Sequence, residues 1–281
     1  MGYSAPNNPQ RLGKMPLLHL IIVALVQGIT EFLPISSSGH LILVPYATGY
    51  EDQGQVIDVA VHVGTLGAVV LYFWSDAKSA LFGLPKALTG KRDTPGSQLA
   101  FLLIIATIPV VIAGLLLKLS GYNDALRSIT VIGWTTLIFG LILWWSDRKG
   151  ATEKTDKDWT TKDAIVMGLW QVLALIPGTS RAGITITGAR HLGYTRHDAA
   201  KLAMLMSIPT IIASGALLGV EVLFTLNTQA ALDGAIAAAL AFIAALSALH
   251  FMMRLLQSVS FTPYVIYRVC LGTVLLGIAY T

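Results

Sequence analysis

Charge is scarce in this chain. Of its 281 residues, 12% are charged and 54% are hydrophobic, against about 25% charged in an average soluble domain. A soluble fold of this size has no room to hide so much apolar surface. Cysteine is nearly absent: Cys270 stands alone, so no internal disulfide forms and a disulfide-stapled secreted scaffold is excluded. Lys and Arg total 19 against 15 Asp and Glu, too even a balance for a nucleic-acid surface, and no nucleic acid partner is expected. Disorder, a coiled coil and a collagen-like fibre are excluded by the same composition. A polytopic helical membrane protein remains. A span takes about 20 residues, so the length admits about eight membrane segments. The polar start, with Arg11 and Lys14, leads into an apolar stretch that meets Gln27 and Glu31 without a small-residue cleavage site. No cleavable signal peptide is expected there.

Windows without ionisable residues place the spans. Thr94 to Leu117, Ser128 to Ser146 and Leu202 to Val220 contain none. Val59 to Ser75 carries only His62, Gly234 to Met253 only His250, and Pro263 to Tyr280 only Arg268. Each suits one transmembrane helix, and together they predict six.

Two other apolar segments are polar at their centres. Pro16 to Gly49 is interrupted by Gln27, Glu31, Pro34, Ser36, Ser37, Ser38 and His40. Ala164 to Gly193 is interrupted by Gln171, Pro177, Gly178, Ser180, Arg181 and Arg190. Two half-helices meeting at a buried loop fit this pattern, as in a re-entrant hairpin. Irregular backbone at membrane depth is tolerated only where protein or a wet cavity covers it. The two segments are weakly alike, with a Gln followed by a Pro-Gly-Ser-rich kink in each, and three spans follow each of them. An odd number of spans inverts the second copy, which predicts an inverted-topology repeat. The expected architecture is a single all-α integral membrane domain over 1–281, with six transmembrane helices plus two re-entrant hairpins. Its first repeat covers 16–146, a cytoplasmic linker 147–163, and the second repeat 164–281.

This plan assigns the basic residues to sides. One side holds Arg11, Lys14, Lys118 and Arg127. The other holds Lys78, Lys86, Lys91, Arg92, Arg148, Lys149, Lys154, Lys157, Lys162, Arg190, Arg196, Lys201 and Arg254. The richer side is cytoplasmic by the positive-inside rule, which puts both termini outside.

Only Arg181 and Arg268 lack a place in a loop or at a span end, and Glu31, His40 and His62 lie at comparable depth. Ionisable groups there are costly and point to function. His62 also reads as a hydrogen-bonded core histidine, Arg268 as a snorkelling or paired structural residue, and Asp58 as a helix cap. Glu31 and Arg181 each sit in a kink beside Pro, Gly and hydroxyl residues, and inverted hairpins would bring the kinks together. A helix N-terminus with Ser or Thr offers free N–H groups to an anion, and the Arg181 fork suits phosphate oxygens. Ser37 and His40 are a candidate nucleophile and base. Gln27 and Glu31 share a helix face and carry the oxygen ligands that Mg²⁺ accepts. The set reads as phosphate handling within a membrane.

The run from Gln27 to His40, QGITEFLPISSSGH, resembles the first signature of the bacterial undecaprenyl-diphosphatases, the bacitracin-resistance family. Pro177 to Thr185, PGTSRAGIT, is similar to the second signature, and Ser260 to Tyr264 with Tyr267 and Arg268 to a C-terminal pattern. The resemblance runs from about Leu17 to the end of the chain. It implies removal of the terminal phosphate of undecaprenyl diphosphate on the outer side of the bacterial inner membrane. That reaction recycles the lipid carrier for peptidoglycan synthesis and confers bacitracin resistance. It also implies a divalent cation, Mg²⁺ or Ca²⁺, with Glu31 and Gln27 as ligands. The family's first acidic position, often Glu, is Gln27 here, and the usual serine after the arginine is Ala182.

Under this resemblance Glu31, Ser37, His40 and Arg181 are the expected catalytic residues. Gln27, Ser36, Ser38, Gly178, Thr179, Ser180, Thr185 and Arg268 are the expected substrate-binding residues. Ser37 is taken as nucleophile with His40 as base or acid, and direct attack by water stays open. The partners are a polyprenyl diphosphate lipid and the bilayer, with a homodimer admitted. Two rival readings share the pattern. A polyprenyl-phosphate transporter or flippase would also use inverted repeats with broken helices. An intramembrane serine protease on Ser37 and His40 would leave Arg181 idle.

Overall fold

The computed structural model describes residues 16–50, 53–121, 124–223 and 228–281. The N-terminal segment with Arg11 and Lys14 lies outside the described residues, as does part of each loop placed opposite the linker.

Among the described residues the regular elements are all helices, with no named strand. The first broken segment is α1 (Leu17–Thr30), α2 (Ser37–Leu41) and α3 (Leu43–Thr48). At 1.5 Å per residue α1 is about 21 Å long, short of the ~30 Å hydrocarbon core. Next come α4 (Gly54–Tyr72), α5 (Trp74–Leu88), α6 (Pro95–Ser120) and α7 (Ile129–Lys149). The second broken segment is α8 (Thr161–Val172) and α9 (Arg181–His191), joined by a 3₁₀ turn and an irregular loop. The chain closes with α10 (Arg196–Leu223), α11 (Thr228–Leu255) and α12 (Thr262–Tyr280). Among the described residues six helices are long and apolar enough to cross a membrane, namely α4, α6, α7, α10, α11 and α12. Each covers most of one of the six charge-poor windows, and α10 and α11 extend past theirs at both ends. Their outward residues include exposed Leu116, Ile243, Phe251 and Ile266, as a lipid-facing surface requires.

Helix α5 has no counterpart among the predicted spans and fills the charged stretch between the windows that end at Ser75 and start at Thr94. Its buried face is Ala80, Gly83 and Ala87, while Leu81, Phe82 and Leu88 are exposed. A Cβ on Gly83 would collide with the Gly96 backbone, and one on Gly96 with the Ser79 backbone. The pair of glycines lets α5 cross the start of α6 at backbone contact. That start is fixed by Pro95 and a capping box between Thr94 and Ser97.

Helix α11 packs on both α1 and α4 through small residues. A Cβ on Gly28 would lie 2.7 Å from the Ala241 carbonyl oxygen, and one on Gly64 would strike the Ala238 carbonyl. Helix α12 lies along α7 in the same way, with Gly133 and Gly272 at the contact. Without a hydrophobic drive between helices in lipid, such close small-residue packing supplies the association.

One end of the bundle is tied by a polar network. Arg190 is fully buried at the end of α9. Its Nε donates to Asp147 Oδ1 at 3.0 Å, and its Nη atoms donate to the carbonyls of Asp147, Gly150, Ala151 and Tyr194. Asp147 also accepts from Arg196 Nε at 2.8 Å and from the Phe261 N–H at 3.3 Å. Four helix ends, those of α7, α9, α10 and α12, therefore meet at one carboxylate. Lys201 adds bonds to Asp76 and Asp156. Tyr194 donates to Asp163 Oδ2 at 2.7 Å. Burial, and then that carboxylate, hold the Tyr194 hydroxyl well above the ordinary phenol range.

Candidate functional site

The two irregular loops have the same local construction. Ser36 precedes α2 at φ 74° and Ser180 precedes α9 at φ 69°. They are the only non-glycine residues with positive φ among the described residues. Such a conformation costs of order 1–3 kcal/mol for a residue with a Cβ. Each serine is then an N-cap. Ser36 Oγ accepts from the Gly39 N–H at 3.4 Å, and Ser180 Oγ from the Gly183 N–H at 3.1 Å. A hydroxyl cap requires a side chain where the backbone would rather have glycine.

The loops are bound to each other and to α7. Ser38 Oγ accepts the Gly178 N–H at 3.2 Å and lies 3.1 Å from Ser36 Oγ. Thr135 donates to the Pro177 carbonyl at 2.6 Å and Thr136 to the Gly178 carbonyl at 3.3 Å. Gly178 sits at φ 89°, and a Cβ there would lie 2.6 Å from the Ile132 carbonyl oxygen. Both the dihedral and the space demand glycine.

A cavity of about 170 Å³ opens between the loops, lined by Glu31, Ser36, Ser37, Ser38, His62, Ala174, Ser180 and Arg181. Arg181 Nη2 donates to Glu31 Oε1 at 2.6 Å, with the two side chains 14% and 7% exposed. The other carboxylate oxygen accepts from Ser37 Oγ at 3.0 Å and from Gln27 Nε2 at 2.8 Å. Arg181 Nη1 and Thr179 Oγ1 are buried and have no partner among the described residues. An unpaired buried guanidinium nitrogen is expensive unless a ligand supplies its acceptor.

Gln27 is held from behind by His62. The His62 Nδ1 lies 2.7 Å from the Asp58 carbonyl, which can only accept, so Nδ1 carries the proton. Nε2 then accepts from the Gln27 amide at 3.2 Å. The Gln27 Oε1 is left buried without a partner among the described residues.

The structure thus brings Glu31, Ser36, Ser37, Ser38, Ser180 and Arg181 to one cleft, with Gln27 directly behind. Other expected residues stand elsewhere. His40 does not meet Ser37. Its Nδ1 lies 2.6 Å from the Ser36 carbonyl, and its Nε2 lies 2.6 Å from the Tyr267 hydroxyl. The same rule of acceptors puts the proton on Nδ1, so both ring nitrogens are occupied, and Ser37 takes Glu31 as its partner instead. The pairing of Ser37 with His40 rested on closeness in sequence, and in the structure each side chain has other partners: Glu31 for Ser37, the Ser36 carbonyl and Tyr267 for His40. Thr185 returns its hydroxyl to the Arg181 and Ala182 carbonyls and is fully buried. Arg268 is also fully buried, against backbone carbonyls and outside the cleft lining. His62, read from sequence first as a core histidine, is the one that lines the cleft. Thr135 carried no sequence signal as a site residue, and Tyr267 entered only through the C-terminal pattern, without a role. Among the described residues no group of three or more His, Cys, Asp or Glu gathers as a metal site.

Six helices fit to cross a membrane, with a polar cleft around the Glu31–Arg181 ion pair, define a polytopic membrane protein. The chain belongs to the family described as bacitracin resistance protein BacA, whose family model matches residues 20–274. It is 71% identical over 267 residues to a protein named undecaprenyl-diphosphatase from Ruegeria pomeroyi, covering 95% of this chain and 100% of the relative. It is 69% identical to the undecaprenyl-diphosphatase of Jannaschia sp., again with 95% and 100% covered. At greater distance, the undecaprenyl-diphosphatase of Hahella chejuensis is 46% identical, with 93% and 98% covered.

Proposed function

We propose that this chain removes the terminal phosphate of undecaprenyl diphosphate. The products are undecaprenyl phosphate, which returns to cell-wall synthesis, and inorganic phosphate. The cleft carries the reading: a serine hydroxyl, a carboxylate holding it and an arginine with a vacant donor converge on one cavity at the start of α9. The relatives' names supply the substrate class.

The roles follow from the hydrogen bonds. Arg181 Nη1, Thr179 Oγ1 and the first N–H groups of α9 bind the diphosphate oxygens. Glu31 anchors Arg181 through one oxygen and orients Ser37 through the other. Ser37 Oγ attacks the terminal phosphorus and passes its proton to Glu31. The bond to the bridging oxygen breaks, undecaprenyl phosphate leaves, and water hydrolyses the phosphoserine. In the alternative, water attacks directly and Ser37 only orients substrate. Either way the barrier falls by positioning and charge neutralisation. His40 holds the strained Ser36 turn through its carbonyl, and Gln27 with His62 fixes the Glu31 carboxylate. Glu31 and the unpartnered Gln27 Oε1 would hold a Mg²⁺ or Ca²⁺ ion, since such a site needs only one or two protein carboxylates beside phosphate oxygens. When bound, the cation would offset phosphate charge.

The two broken segments act as re-entrant hairpins in an inverted repeat over 16–146 and 164–281. The twin Ser36 and Ser180 caps support this. The end tied by Asp147, with the linker and the Arg196 and Lys201 side chains, is cytoplasmic, and the cleft faces the periplasm. Phosphate release by the purified protein from undecaprenyl diphosphate tests the activity. Lipid translocation in vesicles without phosphate release would replace it with the flippase reading. Impermeant labelling of a cysteine at Tyr50, but not of one in 147–163, in intact cells tests the orientation.

A further inference from the structure

Arg268 on α12 is fully buried, and among the described residues its hydrogen bonds end on backbone carbonyls. Nε donates to Thr136 at 3.0 Å, Nη2 to Gly178 at 3.1 Å and Thr135 at 3.4 Å, and Nη1 to Pro34 at 3.4 Å. Pro34 and Gly178 belong to the two separate loops that carry Ser36 and Ser180. Thr135 and Thr136 are the α7 residues that brace the second loop. One guanidinium therefore spans both halves of the site.

The fold clears space for it. A Cβ on Gly140 of α7 would lie 3.1 Å from Arg268 Cβ and 3.3 Å from its Nε, and one on Gly183 would lie 2.8 Å from Nη1. Among the described residues no carboxylate forms an ion pair with Arg268, whereas Arg181 is matched by Glu31. The interior of the site thus carries one positive charge in excess. An uncompensated buried cation is among the most costly features a membrane interior can hold.

We infer that Arg268 is a positioning residue for the headgroup site: it sets the distance between the two loops, and its unmatched charge is balanced by the diphosphate headgroup. This rests on the proposed phosphatase function. A guanidinium is required for the first task, because four carbonyls in different directions need a planar fork with several donors. Any cation serves the second.

The two tasks separate in Arg268→Lys and Arg268→Met, with inorganic diphosphate as binding probe and phosphate release from undecaprenyl diphosphate as activity. Wild-type protein that neither binds the probe nor releases phosphate would sink the phosphatase reading, whatever the variants do. With active wild type, Arg268→Lys keeps the charge and loses the fork, so probe affinity stays within about threefold while kcat falls at least about tenfold. Arg268→Met loses both, so probe affinity also falls at least about tenfold. Gly140→Ala crowds Arg268 while leaving both loops untouched, and lowers kcat by about three- to tenfold at unchanged helix content. A merely structural arginine would change the folded yield and thermal midpoint but leave kcat and probe affinity per folded molecule at wild-type values. That result overturns the inference. If Arg268→Met does not fold, Arg268→Lys and Gly140→Ala decide it: kcat within about twofold of wild type in both refutes the role.

Discussion

Replacing Gln27 with glutamate asks how the Glu31 carboxylate in the cleft is kept ionised. In the structure the Gln27 amide nitrogen lies 2.8 Å from Glu31 Oε2. Gln27→Glu puts a second carboxylate oxygen in that place. At an effective dielectric of 20, two unit charges at that separation repel by about 6 kcal/mol. Protonating a carboxyl whose ordinary value is about 4.3 costs roughly 3.7 kcal/mol at pH 7, so proton uptake is the cheaper escape. The variant, stripped of metal, should therefore be less stable than wild type by about 3–4 kcal/mol at pH 7. The penalty should shrink by about 1.4 kcal/mol for each unit of pH below that, because the folded variant holds a proton that the unfolded chain releases. A divalent cation between the carboxylates removes the same repulsion, and its stabilisation grows with the logarithm of its concentration. The assay is thermal unfolding in detergent with chelator or with Mg²⁺, from pH 6 to pH 8, beside phosphate release. The expected pattern is a midpoint that rises on acidification in chelator only, and activity that depends on Mg²⁺ more steeply than in wild type. A variant with wild-type midpoints in chelator at every pH would show that Gln27 does not face Glu31.

Three further outcomes follow from the same contacts. Arg181→Lys can keep the Glu31 ion pair or reach a phosphate oxygen but not both, and kcat should fall about 10²-fold; near-normal turnover by folded protein refutes the clamp. Ser37→Ala should remove turnover with little change in KM if serine is the nucleophile, whereas His40→Gln with an unchanged pH–rate profile would agree with its place behind the Ser36 turn; acid-quench trapping of phosphate on a Ser37 peptide separates covalent from direct attack. Asp147→Asn leaves the fully buried Arg190 without its counter-charge and should cost about 3–5 kcal/mol in unfolding measurements, with normal kcat in the fraction that remains folded.

The spanning helices were legible because a membrane span must exclude charge over its whole length, and six windows do so. The breaks at 31–36 and 176–180 were legible because Pro, Gly and Ser interrupt otherwise apolar runs. Helix α5 was not, since Asp76, Lys78 and Lys86 give it the composition of a loop, and its buried face is only small residues. The Glu31–Arg181 pair followed from cost: each is too expensive at that depth to stand alone. Which histidine reaches the cleft was beyond composition. His40 is three residues from Ser37 and His62 is far along the chain, yet α4 passes the cleft while α2 turns His40 toward Tyr267. Arg190 shares α9 with Arg181, and nothing local distinguishes a buried hub from a cytoplasmic surface charge. The distinction lies in Asp147, 43 residues away.

The two serine caps set selection for stability against selection for activity. Glycine at position 36 or 180 would adopt the positive φ freely, relieving about 1–3 kcal/mol of strain. It would give back only a few tenths for the lost cap and about 0.5–1 kcal/mol in unfolded-chain entropy. Where the strain exceeds about 1.5 kcal/mol, heat resistance alone favours glycine at both positions, against the need to keep the first turns of α2 and α9 set around the cleft. Stabilised variants recovered without a test of turnover should accumulate changes at these two residues first, and should be the least active of the collection.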